Sequence, residues 1–301
     1  MGKGTSIEWT DHTFNPWWGC ARVSPGCEHC YAEAFSKRIG LKVWGANSDR
    51  RFFGDEHWDE PGKWNRQAEK AGRRRRVFCA SMADVFEDRR DLDVHRDRLW
   101  RLIEATPWLD WLLLTKRPEN HELVPLAWQT GSRRPTNVWL GTTAENQEYA
   151  DRRIPELLSA PWPAVRFVSY EPALGAAEFR KWLTTHKPIE RFEAFTSEAK
   201  AAYLVPPTEL VVRGIDWVIV GGESGPGARP FDVAWARSTI EQCRQAGVAC
   251  FVKQLGKKPF GVSMTPDCQY AICDAKGSNI AEWPPDLRVR QFPKTEPRCA
   301  E

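Results

Sequence analysis

Short, almost wholly apolar runs alternating with helical stretches constrain this chain most. The runs span residues 77–82, 108–115, 137–143, 164–171, 215–222 and 249–254. A strand that is apolar on both sides needs cover on both sides, as in parallel sheets whose crossovers are helices. Helices are predicted over residues 91–104, 147–158, 176–184 and 234–246, the last stopped by Gly247. The expected fold class is therefore α/β: a partial or complete parallel (β/α) barrel of six or seven strands, with a doubly wound open sheet as the alternative. Polar residues close nearly every run. That favours the barrel, where all the strand ends surround one mouth.

Ahead of these runs, Cys20, Cys27 and Cys30 fall in a Cys-x6-Cys-x2-Cys pattern. Pro16, Gly19, Pro25 and Gly26 break the backbone around them, so they sit on a loop, and Tyr31 starts a helix over residues 30–40. A helix N-terminus just after the last cysteine suits an anionic sulfur ligand. Three readings follow from the donor count. Structural zinc usually takes four N/S ligands, and His29 is the only local fourth candidate. A disulfide leaves one cysteine over. A 4Fe-4S cluster on three cysteines leaves one iron open.

The segment from Trp9 to Cys20, with the two later cysteines, resembles an uncharacterised phage-type protein family with a radical-SAM-like three-cysteine signature. Further segments carry the resemblance: Ser81-Met-Ala-Asp-Val-Phe, Leu114-Thr-Lys-Arg-Pro, Leu140-Gly-Thr-Thr-Ala-Glu-Asn, Ser169-Tyr-Glu-Pro, Gly221-Gly-Glu-Ser-Gly and Val252-Lys-Gln-Leu-Gly. It extends to about residue 256. It implies a barrel of the radical SAM type, a 4Fe-4S cluster held by Cys20, Cys27 and Cys30, and S-adenosylmethionine (SAM) as second cofactor. The gap between the first two cysteines is three residues longer than in the usual Cys-x3-Cys-x2-Cys signature.

The expected organisation is a barrel over residues 1–256, with irregular insertions at about 43–76 and 185–213, and a C-terminal extension over 257–301. The first insertion interleaves Trp44, Phe52, Phe53, Trp58 and Trp64 with basic residues, a pattern able to stack bases and pair with phosphates. The alternative is a solvated loop whose aromatics pack back on the domain. Cys268 and Cys273 could ligate a second metal, although no further Cys/His pair lies nearby, which favours plain thiols. A net charge of +3 argues little about partners. No apolar leader or stretch of membrane-spanning length occurs, so a cytoplasmic, reducing setting is expected, with no membrane partner.

Candidate substrate and catalytic residues at the mouth are Asp84, Lys116, Glu171 and Lys253. Glu171 ends an apolar run and needs a partner or water, and Lys253 could be that partner. Candidate cofactor contacts are Thr143, Glu145, Ser169, Gly221, Gly222, Glu223 and Ser224. Asp84, Thr143 and Ser224 could equally cap the following helices, and the glycine-rich run could be a tight turn. That run fits neither a P-loop nor a dinucleotide-binding pattern, and no hydrolytic triad or His-Glu-x-x-His stands out. Arg229 could meet a carboxylate or phosphate bidentately. The expected function is that of a radical SAM-type enzyme acting on a nucleic acid or nucleotide, supplied by an electron-donor protein. A zinc-containing nucleic-acid-binding protein and an iron–sulfur electron-transfer or sensor protein are the alternatives.

Overall fold

The computed structural model describes residues 5, 7–183, 214–261 and 272–294. Its strands are β1 (His12–Thr13), β2 (Arg75–Cys79), β3 (Leu109–Thr115), β4 (Val138–Thr143), β5 (Val165–Tyr170), β6 (Trp217–Gly221), β7 (Phe231–Asp232), β8 (Ala249–Gln254) and β9 (Pro259–Phe260). The helices are α1 (Tyr31–Arg38), α2 (Asp55–Lys70), α3 (Asp93–Ala105), α4 (Leu126–Gln129), α5 (Gln147–Ser159) and α6 (Val233–Ala246). Seven strands make one parallel sheet in the order β1-β2-β3-β4-β5-β6-β8, while β7 and β9 pair separately.

Sequential order decides between the two architectures. Right-handed crossovers that always step to the next strand put every helix on the same side of the sheet. The other side is left to close on itself. Side chains alternate between the two sides. Val77, Leu113, Leu140, Val168, Val218 and Val252 pack outward with helical residues such as Leu99, Ile154 and Ala236. Phe78, Leu112, Trp139, Phe167, Trp217 and Phe251 form a separate inner cluster with Trp9. Trp9, just before β1, lies 6.2 Å from Trp217 of β6, ring to ring. In a flat sheet the five intervening steps of about 4.8 Å would hold those strands about 24 Å apart. The sheet is therefore curled into a partial (β/α) barrel, and its inner layer is a packed plug of aromatics.

Two stretches depart from the expected elements. Within residues 43–76, expected to be irregular, lies the 16-residue helix α2. Trp58, Pro61 and Ala68 form its buried side, and its Asn65 side chain accepts the Trp108 N–H at 2.8 Å. The interior Pro61 and a run of charges hide its periodicity. The helix expected at 176–184 is only a single 3-10 turn, Arg180–Trp182. Side-chain amides of α5 and α6 take the backbone donors there: Gln147 accepts from Glu178 and Gln242 from Phe179. The expected insertion at 185–213 lies outside the described residues.

The described part of the C-terminal extension packs on the barrel. Trp283 and Leu287 are fully buried in the helix-side core. Val252 N–H donates to Val289 O and Gln291 N–H to Cys250 O, so this segment covers the otherwise open edge of β8. Phe292 closes over Trp217 at the barrel floor, 5.4 Å from ring to ring. Cys268 lies outside the described residues and Cys273 is an exposed free thiol.

Candidate functional site

Inward positions at the C-terminal ends of the strands turn polar above the aromatic plug. Lys116, Thr143, Ser169, Glu171 and Lys253 line one cavity of about 700 Å³. Cys20, Cys27 and Cys30 line the same cavity, together with Gly222, Glu223 and Ser224. The barrel thus brings the early cysteine loop and the late strand ends to one place, where parallel α/β scaffolds build their ligand sites.

Three straps hold the cysteine loop. At the end of β4, Glu145 is completely buried; it accepts the Ser24 hydroxyl and pairs with Arg153 at 2.8 Å. A Cβ on Gly26 would sit 2.3 Å from the Glu145 carboxylate, so only glycine lets the loop dock there. Beyond β6, Arg229 grips Glu223 with its guanidinium and donates to Pro25 O at 3.0 Å and to Glu28 at 3.2 Å. After β3, Arg117 donates to Ala21 O at 2.9 Å and approaches Cys20 Sγ at 3.7 Å. Cys30 is the N-cap residue of α1.

Each sulfur has its own electrostatic surroundings. Burial pushes the Cys20 thiol up to about 12, with Asp84 adding to it and Arg117 opposing it. Burial also raises Cys30, against the pull of the Glu33 and Ala32 N–H groups and the Lys116 ammonium. The Ser24 hydroxyl stands 3.8 Å from Cys27 Sγ. All three are free thiols.

Each candidate from the sequence has a definite place. Lys253 does pair with Glu171, Nζ to Oε1 at 2.6 Å, at the cavity wall. Lys116 is half-buried at the cavity and makes no ion pair among the described residues. Asp84 is buried and saturated: it accepts from the N–H groups of Phe86 and Lys116, the Thr115 hydroxyl and the Arg117 guanidinium. The Thr143 hydroxyl is wholly buried and has no hydrogen-bond partner among the described residues, at the cavity wall. Glu145 is used in loop docking and Gly221 packs on Gln254; neither lines the cavity. Gly222 is pressed against Leu255 O and Phe231, which leaves no room for a Cβ. Arg229 meets a carboxylate, as its type suggests, and that carboxylate is the chain's own Glu223.

A family model described as "Protein of unknown function (DUF5131)" matches residues 4–277. The chain belongs to the DUF5131 family. No curated protein matches it in sequence. Three solved structures are similar to it in fold, all of spore photoproduct lyase. One, a cysteine-to-serine mutant, is 17% identical with a TM-score of 0.38, and the similarity covers 56% of this chain and 47% of that one. Another, a double mutant with bound AdoMet and dinucleoside spore photoproduct, is 16% identical with a TM-score of 0.37, covering 54% and 46%. A tyrosine-to-phenylalanine mutant is 16% identical with a TM-score of 0.35, covering 52% and 44%. The similarity spans less than half the length of these proteins.

Sequence reasoning gave no role to Arg153, Ser24 or Tyr31. Tyr31 lines the cavity, and its hydroxyl donates to Ser81 O at 2.8 Å. Ser24 and Tyr31 meet partners 121 and 50 residues away, which no local pattern reveals. Of the aromatics of the first insertion, Trp44 lines the cavity and Trp64 stacks on His12 at 4.4 Å. Trp58 is buried, Phe53 stacks on His57 at 4.3 Å and Phe52 on His95 at 3.9 Å.

The Glu223–Arg229 strap gives a pH-dependent expectation. Burial pushes the Glu223 carboxyl up, but the hydrogen bonds and charge of Arg229 outweigh it, so the group titrates below the ordinary 4.5. A depressed folded value stabilises the fold above that pH, and the stabilisation is lost as pH falls through the folded value. Glu223→Gln is therefore expected to flatten the acid limb of a Tm-against-pH curve below pH 4.5. An unchanged acid limb would mean that the strap carries no pH-dependent stability.

Proposed function

We propose that this chain is a radical SAM-type enzyme, with Cys20, Cys27 and Cys30 as ligands of a 4Fe-4S cluster. The observation that carries the proposal is the shared cavity: three free thiols meet polar strand ends inside one partial barrel. The donor set fits the group. All three thiols line one cavity, and soft thiolates are the ligands that iron–sulfur clusters take. When bound, such a cluster held by Cys20, Cys27 and Cys30 would supply the electron for reductive cleavage of SAM, the chemistry by which a hydrogen atom would be taken from a substrate.

The chain's own groups would bind and orient. Thr143 and Ser169 offer hydroxyls to SAM from β4 and β5. The unpartnered Thr143 Oγ1 is the stronger indication, because a buried polar atom left unpaired costs about 1–3 kcal/mol. The Glu171–Lys253 pair and Lys116 face the substrate space. Lys116 and Lys276 line the cavity and make no ion pair among the described residues, which suits an anionic group such as a nucleotide phosphate. A nucleotide or nucleic acid is accordingly the proposed substrate class, with a separate protein as one-electron donor.

Incubation of the anaerobically reconstituted protein with SAM and dithionite tests the reaction. 5′-Deoxyadenosine is expected. Its absence from a fully loaded cluster, with nucleotide candidates present, would favour an electron-transfer role instead. Thr143→Val gives a second expectation of mixed sign. The apo protein should be at least as stable as wild type, since the orphaned hydroxyl is gone. SAM should bind about tenfold more weakly, the equivalent of one hydrogen bond of about 1.4 kcal/mol. Unchanged SAM affinity, measured by equilibrium dialysis, would remove Thr143 from the cofactor site.

A further inference from the structure

Among the described residues, Cys20 is the one candidate ligand with a guanidinium in hydrogen-bonding contact, while Arg22 acts on Cys27 and Cys30 through its charge alone. Arg117 Nη1 stands 3.7 Å from Cys20 Sγ, and Nη2 donates to the neighbouring Ala21 O at 2.9 Å. Cys27 Sγ is met by the neutral Ser24 hydroxyl, and backbone N–H groups of Ala32 and Glu33 serve Cys30.

The guanidinium is aimed. Arg117 Nη1 also donates to Asp84 Oδ2 at 2.9 Å, and both side chains are almost wholly buried. The Asp84 carboxylate is itself fixed by the Thr115 hydroxyl at 2.7 Å and by the Lys116 and Phe86 N–H groups, each at 3.1 Å. The Thr115 hydroxyl in turn accepts the Arg117 N–H at 2.8 Å, closing a ring at the end of β3. A carboxylate with four donors on it has no free lone pair for proton transfer at the cavity. Arginine keeps its charge at any pH the protein survives.

We infer that Arg117 tunes the cluster through Cys20 and that Asp84, paired with the guanidinium, offsets part of its charge there. The inference rests on the cluster assignment above. A donated N–H and a full positive charge beside one thiolate favour the reduced, more negative cluster, and hydrogen bonds to cluster sulfurs are among the factors that set iron–sulfur potentials. Asp84 dilutes that charge. The two residues therefore act on the potential with opposite sign, which a merely structural role for both would not produce.

The test is a redox titration of the anaerobically reconstituted protein, followed by the EPR signal of the reduced cluster. Arg117→Gln should lower the reduced-to-oxidised ratio at a fixed applied potential about tenfold, a shift of about 59 mV to the negative for one electron. Asp84→Asn leaves the guanidinium uncompensated and should shift the midpoint to the positive. If Arg117→Gln fails to hold a cluster, Asp84→Asn decides: a positive shift supports the inference, and no shift or a negative one overturns it. A wild-type cluster whose potential ignores both substitutions would overturn this inference and leave the cluster assignment standing. Wild-type protein that takes up no iron would overturn both.

Discussion

Replacing any one of Cys20, Cys27 or Cys30 with alanine is expected to abolish the bound cluster. The reconstituted wild-type protein should carry about four irons with matching sulfide, and each variant close to none. The loss should be complete because a three-cysteine site has no spare thiolate: the other described cysteines, Cys79, Cys243, Cys250 and Cys273, do not line the cavity. The fold should survive, since the three side chains line a cavity and are absent from both apolar cores. Far-ultraviolet circular dichroism of each variant separates the two effects. Cys243→Ala is the control: that thiol is buried in the helix-side core, and its loss should leave iron content unchanged. A variant of any of the three that keeps its iron would remove that cysteine from the ligand set.

Glu145→Ala is expected to cost about 3–5 kcal/mol of folding stability, because it leaves the Arg153 guanidinium buried without its partner. The side chains of the pair are 0% and 4% exposed, so solvent does little to screen the loss. The same change frees Ser24 and removes the wall against which Gly26 docks. Cluster loading should therefore fall along with the unfolding midpoint. Glu145→Gln distinguishes the two consequences: it keeps an acceptor for Ser24 but discards the charge that Arg153 needs. Urea unfolding measures the first effect and iron content the second. A destabilisation below about 1 kcal/mol would mean that Arg153 finds compensation elsewhere and that the strap is weak.

Where the information is local, the fold is legible in the sequence. Ala249–Gln254 is a strand over the residues that its apolar run suggests, and Gly247, at φ 69°, ends α6 in a left-handed conformation. Polar residues at the run ends do gather at one mouth. What a single chain does not display is which polar end neutralises which. Glu145 and Asp84 read like ligand-facing carboxylates because each follows an apolar run; Asp84 does line the cavity and Glu145 does not. In space, each is taken up by an arginine that arrives from further along the chain: Arg153 from within α5, Arg117 from the end of the next strand. Lys253 and Glu171 are recognisable as partners because each needs one. Helix α2 is hidden for a different reason: Pro61 and its acidic and basic neighbours mask an apolar side of only a few residues. The aromatic and basic pattern of residues 43–76 reads either as a nucleic-acid surface or as a loop packed back on the domain, and part of it is used internally: Arg98 lies over Trp58 at 4.6 Å and Arg51 over Trp18 at 4.8 Å. Cation–π pairs formed within one domain look the same in sequence as those offered to a base.

The most direct measurement on the three-thiol site is the EPR spectrum of the reduced, reconstituted protein with and without SAM. An open iron facing the cavity predicts a 4Fe-4S signal whose g-values change when SAM is added. A colourless protein holding about one zinc, or an iron–sulfur signal indifferent to SAM, would contradict it.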